Sequence, residues 1–557
     1  MYYEFKKNWV STEGSFKGIF PYFSNANIYL FSRLKMGVEG VMVSYNYSDD
    51  GELANILTVS ASGIRFSNRW VLTHGSILSP LKEAKIIQNS RGKPFLNEGF
   101  YENLPEVHVT CEKKRSKVPT VYDSVETLSR DRDLSIGELE HSSYQIRVLT
   151  GRIVHVWQCP ILDRCVDDIL YSWTIGHRDG DVEKQTQLGK ALLSVFVLVD
   201  LESDDRGLKT LRPLSSLLDM VRPPSGRGAT VEVHSTPFGC EVFLNAVTRG
   251  SICGVVGKRP SLLLTDAATA LGSEGGPVFT EGPTKDLIGI VVCSVSWWRG
   301  EWVGLTLMAP LVSVLAAKLR VALAFLPAKC SLYISDRIDR TAVLVRCGAA
   351  WGAGVYLGAG YVITCAHVVK NYNHSKVSLY CQGVKETAIV RYKTADEKAY
   401  DLALLYTNPH HWGRLTPAVF DDGVADKGEP VLAAGYPYFN ENNLDDLRPA
   451  VTAGHVNNAS PSMIQTSCCV QSGFSGGPIF RITKSRSVVV AAIIVSNAKT
   501  ETGACYPYIN MAIPVKVFQR SIQGFIADKD ESKLSAIENK QEMIQAQWRL
   551  LPYRSKI

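Results

Sequence analysis

The amino-acid sequence predicts a mainly β protein: two double β-barrel domains in tandem, the first a degenerate copy of the second, followed by a helical tail. Three observations carry this. Short apolar runs (WVLT, SVFVLV, LIGIVV, YVIT, LALLY, VVVAAIIV) are bounded by Gly, Pro, Asn and Asp, a spacing that suits antiparallel barrels or sandwiches with few helices. The chain also echoes itself in order, which marks duplication. Finally, ADKDESKLSAIENKQEMIQAQW (527–548) is charged, rich in helix formers and free of Gly and Pro, so it predicts a terminal helix.

The echoes locate the copies. GVYLGAGYVIT (354–364) repeats GIRFSNRWVLT (63–73), GYPY (435–438) repeats STPF (235–238), VTAG (451–454) repeats VTRG (247–250), and GFSGGP (473–478) repeats GSEGGP (272–277). The spacing between the copies shortens after the first match, which predicts an insertion at about 80–185 of the first copy. Its polar stretch CEKKRSKVPTVYDSVETLSRDRD (111–133) predicts a long exposed loop. The domains are therefore 1–325, 330–525 and a tail over 526–557, as expected of a 557-residue chain too long for one core.

Composition excludes several classes. Apolar residues make 45% and charged residues 20%, an ordinary globular balance, and the net charge of +6 is spread along the chain, so no nucleic-acid surface is expected. Lys113, Lys114, Arg115 and Lys117 form one basic cluster, read as a solvated loop. No apolar run is long enough to span a membrane, and the first residues lack the apolar stretch of a secretory signal. Thirteen cysteines, odd in number and scattered in apolar runs, predict reduced buried thiols. No CxxC or HExxH occurs, so neither metal nor cofactor is expected.

GFSGGP carries the chemistry. A serine nucleophile needs an exposed hydroxyl and converging backbone amides; small residues around Ser475 permit this, and the amides of Gly473 and Ser475 are the natural oxyanion-hole donors. A serine at its free pKa also needs a base, which His367 supplies at the end of the run YVITCAH. Asp401 opens the run DLALL and would orient the imidazole; Asp396, Asp421 and Asp422 are rivals, but none leads directly into an apolar strand. The order His, Asp, Ser is that of chymotrypsin, which makes the expected fold two chymotrypsin-like double barrels and the expected enzyme a serine endopeptidase.

The stretch QTSCCVQSGFSGGP (465–478), with DLALL (401–405) and MAIPV (511–515), resembles the HtrA/Deg-type proteases. The chain departs from that family in having no room for a PDZ domain after 525 and in carrying an upstream copy. In that copy Ser76 stands at the place of His367, Glu274 at that of Ser475, and alignment of SVFVLV with DLALLY puts Ser194 opposite Asp401, so it lacks the triad. Cys469, six positions before the serine, and Ser496 predict a small neutral S1 pocket for Cys or another small side chain.

The chain ends Ser555, Lys556, Ile557, similar to the Ser-Lys-Leu peroxisomal address. Together these features resemble the peroxisomal members of the HtrA/Deg type. That resemblance implies a matrix enzyme, delivered by an import receptor that reads its C-terminus. It implies removal of leader peptides from imported proteins, processing of β-oxidation enzymes, cleavage after cysteine and a homo-oligomer. It also suggests Cys111 as a self-cleavage site. A quality-control protease of another compartment and a non-catalytic protease-fold scaffold are the alternatives.

Overall fold

Each apolar run becomes a strand, and the strands close into four six-stranded barrels of one repeated topology. The computed structural model describes residues 37–548 except 49–55, 82–100, 102–103, 113–145, 170–181, 203–210, 257–260, 299–300, 322–331, 438–443, 500–504, 539–541 and shorter stretches. The first copy begins with β1 (Glu39–Ser48), β2 (Ile56–Phe66), β3 (Trp70–His74), β4 (Glu106–Glu112), β5 (Ile146–Gln158) and β6 (Val195–Asp200), closed in the order β1-β2-β3-β6-β5-β4. Its second barrel is β7 (Thr230–Ser235), β8 (Ala246–Val256), β9 (Leu262–Thr265), β10 (Pro277–Thr280), β11 (Leu287–Trp298) and β12 (Glu301–Pro310).

The second copy repeats both. Its first barrel is β13 (Ala342–Cys347), β14 (Ala350–Gly358), β15 (Tyr361–Thr364), β16 (Val377–Cys381), β17 (Val384–Lys393) and β18 (Ala403–Tyr406). Its second is β19 (Pro430–Gly435), β20 (Ala450–Ala459), β21 (Ile464–Thr466), β22 (Pro478–Ile482), β23 (Val488–Lys499) and β24 (Cys505–Pro514). Closure leaves no free sheet edge, and the inward side of each strand fills a barrel with Val, Ile, Leu and Ala.

Two expectations are corrected here. The window 80–185 is not a single insertion: β4 and β5 of the first barrel lie inside it, and the extra length is divided among the β3–β4, β4–β5 and β5–β6 connections. Nor does Cys111 sit in an exposed loop. EVHVTCE alternates as a strand, pairs with β1 and β5, and leaves Cys111 1% exposed. The polar run after it hid a strand signal only seven residues long.

A helix follows the last strand of each copy, Leu311–Leu319 and Val515–Asp528. In the latter, Val515, Phe518, Ile522 and Phe525 are buried at three- and four-residue spacing, the stripe that docks a helix on a core. The predicted continuous helix over 527–548 is also corrected. Lys529 turns left-handed at φ 65, Asp530 caps a short 3-10 segment by accepting from Ser532 N, and a separate helix spans Glu542–Trp548. Ser555, Lys556 and Ile557 lie outside the described residues.

The copies meet along a seam where β8 lies beside β20. Near it Arg227 of the first copy, 7% exposed, grips both carboxylate oxygens of Asp339 at 2.6 Å. Asp339 is 2% exposed and also takes Arg448 at 2.7 Å. A buried charge of this kind is tolerated because it is bidentate and shared. The described cysteines are free thiols, most of them buried.

Candidate active site

The turn bearing Ser475 is shaped by its glycines. Gly473 and Gly476 hold φ values of 96 and 83, the left-handed region, and a Cβ on Gly476 would lie 2.2 Å from Ala353 O. The turn is tied down on all sides: Ala353 N donates to Ser475 O, Gly476 N to Ile494 O and Gly477 N to Phe474 O, each at 2.8 Å. Phe474 between the two glycines is fully buried in the fourth barrel. Those bonds leave two amides over. Neither Gly473 N nor Ser475 N has an acceptor among the described residues, so both are available to an oxygen that gains charge.

His367 opens a 3-10 turn immediately after β15. Strand pairing brings its partner: Thr364 faces Ala403 across the β15–β18 ladder, which sets Asp401, two residues before Ala403, beside the turn. Asp401 Oδ1 accepts from His367 N at 3.0 Å and Oδ2 accepts a short hydrogen bond from Nδ1. A carboxylate on Nδ1 fixes the tautomer with the proton there and leaves Nε2 as the acceptor. The imidazole is 48% exposed, open to an incoming chain. The rivals are engaged elsewhere, Asp396 with Lys393 and Lys370, Asp421 with Arg481, and Asp422 lies outside the described residues.

The structure thus brings His367 and Asp401 together. It does not hydrogen-bond Ser475 to the imidazole, because the hydroxyl donates to Val495 O at 3.1 Å. The serine is nonetheless close to the strand end that carries the histidine, since a Cβ on its neighbour Gly476 would approach Cys365 N to 2.9 Å. Cys365, His367 and Asp401 also place their donor atoms within 4.8 Å of one another, as a metal site would. Burial, however, holds the Cys365 thiol protonated, well above its usual range, while Asp401 already occupies Nδ1. The donor set suits proton transfer better than ligation.

In the first copy the same scaffold carries different chemistry. Ser62 N donates to Glu274 O at 2.9 Å where Ala353 N meets Ser475 O, so Glu274 occupies the place of Ser475. Its carboxylate turns back onto its own turn and accepts from Gly272 N, the counterpart of Gly473 N, at 2.8 Å. Burial raises its pKa, and the backbone bonds pull the other way. Ser76 is the second residue of the short helix Gly75–Leu78 that follows β3, whereas His367 is the first of its own. The β3–β6 ladder pairs Thr73 with Val197 as Thr364 pairs with Ala403, which puts Val195 at the place of Asp401. The expected Ser194 is one residue off, a register slip that two apolar strings cannot resolve by themselves.

The S1 expectation needs one correction. Cys469 is fully buried and its thiol points at Gly304 O of the first copy, 3.8 Å away, so it does not line an open pocket. Counting from the serine gives its place in the chain but not its direction. Ser496 lies on β23 beside Asn497, whose Nδ2 donates to Val470 O at 2.6 Å and ties β23 to the segment before Ser475. Tyr508, whose hydroxyl donates across the seam to Asp266 O at 3.2 Å, carried no sequence signal.

Several known proteins are similar to this chain over part of its length. Residues 352–490 match the family model of the trypsin-like peptidase domain. The chain is 33% identical over 358 residues to the peroxisomal leader peptide-processing protease of Mus musculus and 32% identical over 354 residues to that of Homo sapiens. Each match takes in 58% of this chain and 60% of the relative, so the similarity spans about three-fifths of those proteins. Among solved structures, the serine endoprotease of Yersinia pestis is similar at 22% identity and a TM-score of 0.29, over 37% of this chain and 69% of that one. An HtrA-type protease solved with a tripeptide is similar at 20% identity and a TM-score of 0.29, over 36% and 64%. The chain is a mainly β protein of the trypsin-like fold, similar in sequence to the mammalian peroxisomal leader peptide-processing proteases.

Proposed function

We propose that this chain is a serine endopeptidase of the peroxisomal matrix that removes leader peptides from imported proteins, cutting after Cys or another small residue. The observation that carries the reading is the Asp401–His367 pair beside a serine turn with two unpartnered amides. A rotation of the Ser475 side chain exchanges its bond to Val495 O for one to His367 Nε2. The imidazole then takes the hydroxyl proton as Oγ attacks the scissile carbonyl, Asp401 stabilises the imidazolium, and the amides of Gly473 and Ser475 receive the oxyanion. The proton passes to the leaving amine, and water releases the acyl enzyme by the reverse sequence.

The peroxisomal setting and the leader-bearing substrates rest on what the two mammalian relatives are named for. Delivery by an import receptor through Ser555, Lys556 and Ile557, and a homo-oligomer, belong to the same reading. So does self-cleavage after Cys111, which requires the last step of β4 to leave its barrel. The test is N-terminal sequencing of products from leader-bearing substrates and of the chain itself, with Ser475→Ala as control. New termini after a small residue, absent with Ser475→Ala, support the reading; products identical in both refute it.

A further inference from the structure

The segment from β21 to Ser475, residues 467–475, carries the amides of Gly473 and Ser475 and, in the peptidase reading above, one wall of the specificity pocket. It is fixed at three successive residues. Two anchors come from its own barrel: Asn510 Nδ2 donates to Cys468 O at 2.7 Å, and Asn497 Nδ2 to Val470 O at 2.6 Å. The residue between them is anchored differently. Cys469 belongs to the buried apolar cluster of the first copy, with Cys253, Leu264 and Leu305, and among the described buried residues it is the one member from beyond residue 330. Its thiol donates towards Gly304 O.

Tyr508 on β24 makes a second connection to the same place. Its hydroxyl reaches Asp266 O at 3.2 Å and Gly304 O at 3.4 Å, one proton shared between two first-copy carbonyls. The receiving surface is rigid. Asp266 is held by its carboxylate, which accepts Ser251 N at 2.6 Å, and Gly304 sits in β12 at φ 62, a left-handed conformation that glycine adopts without strain. From Cys469 to Ser475 the chain has little slack, with Phe474 N donating to Gln471 O and Gly473 backed against Tyr436 O.

We propose that the first copy is the seat of the second copy's substrate pocket, with Cys469 and Tyr508 keyed onto Gly304 and Asp266 so that first-copy backbone positions the pocket wall and oxyanion amides. This rests on the peptidase reading above and gives the retired copy a task in it. Cys469 and Tyr508 act through the loop they hold and are positioning residues, without contact to the reacting atoms. Small shifts there alter how well a side chain is received and how well the amides meet the oxyanion.

The experiment uses the full chain, with Tyr508→Phe removing one oxygen and Gly304→Ala perturbing the seat from the first copy. Ser475 labelling by a fluorophosphonate probe is measured first. Then kcat and KM are measured on peptides differing only in the residue before the scissile bond, Cys, Ala or Leu. Both variants should label Ser475 and keep their thermal midpoint within a few degrees. Each should lose roughly 3- to 10-fold in kcat/KM on the small-residue peptides. The ratio of small-residue to Leu cleavage should move as well, which a loss of folded protein alone would not cause. Wild-type kcat/KM and ratio in both variants would overturn the seat while leaving the peptidase reading standing. An unlabelled wild-type Ser475 would overturn the peptidase reading, and the seat with it.

Discussion

Gly476→Ala should damage both stability and chemistry, and its equivalent in the first copy separates the two. A Cβ at Gly476 would stand 2.2 Å from Ala353 O, 2.3 Å from Thr364 Oγ1 and 2.9 Å from Cys365 N. Two of these are backbone atoms, one on β14 and one just after β15, so the serine turn has to move instead. The left-handed φ of 83 adds about 1–2 kcal/mol for a residue with a side chain, and overpacking of this kind about 1–3 kcal/mol. The sum is a loss of about 2–5 kcal/mol in urea unfolding, with Ser475 labelling slowed because the hydroxyl is carried away from the imidazole. Gly275→Ala meets Ser62 O at 2.1 Å and Thr73 Oγ1 at 2.8 Å, and should cost similar stability while folded molecules still label Ser475. A Gly476→Ala protein within about 0.5 kcal/mol of wild type that labels at the wild-type rate would show that the turn tolerates a side chain there.

Other consequences can be checked separately. Asp401→Asn keeps the size of the side chain but not the tautomer control on His367, so kcat should fall roughly a thousand- to ten-thousand-fold in peptide hydrolysis with KM little changed. His74, fully buried at the position of Cys365, has its pKa lowered to about 4 by desolvation, only partly offset by the Leu193 carbonyl. Its folded pKa is below its unfolded one, so stability is full above pH 6.5 and is lost as pH falls towards 4, by about 1.4 kcal/mol per unit. His74→Cys should flatten that slope in denaturation series at pH 7, 6 and 5, and an unchanged slope would exclude His74 as its source. Alkylation of the native chain, mapped by mass spectrometry, should modify exposed Cys240 and spare Cys111, Cys253, Cys365, Cys468 and Cys469, whose burial raises their pKa. Rapid alkylation of Cys111 would contradict its place in β4.

Much of this was legible in the sequence because the informative features are local. Strands in closed barrels declare themselves as short apolar runs between turn residues, and both GFSGGP and GSEGGP keep the glycines that their turn needs, so the duplication stayed visible. The Asp401–His367 pairing followed from the run that each residue borders. What failed were properties set by partners distant along the chain. Cys469 was read from its count to the serine, yet its direction is decided by Gly304, 165 residues away. Ser194 and Val195 differ by one step of an apolar strand, and only the ladder to β3 settles the register. Cys111 borders a polar run that looks like a loop but closes a short strand. The break at Lys529 likewise depends on Asp530 capping the segment that follows.

In the proposed chemistry His367 takes the proton of Ser475 beside the amides of Gly473 and Ser475. The most direct measurement is fluorophosphonate labelling of the full chain, with the adduct located by mass spectrometry in wild type, Ser475→Ala and His367→Ala. An adduct should form on Ser475 in the wild type and not with Ser475→Ala, and its rate should fall by orders of magnitude with His367→Ala. A wild-type Ser475 that stays unlabelled, or a His367→Ala protein that labels as fast as wild type, would contradict it.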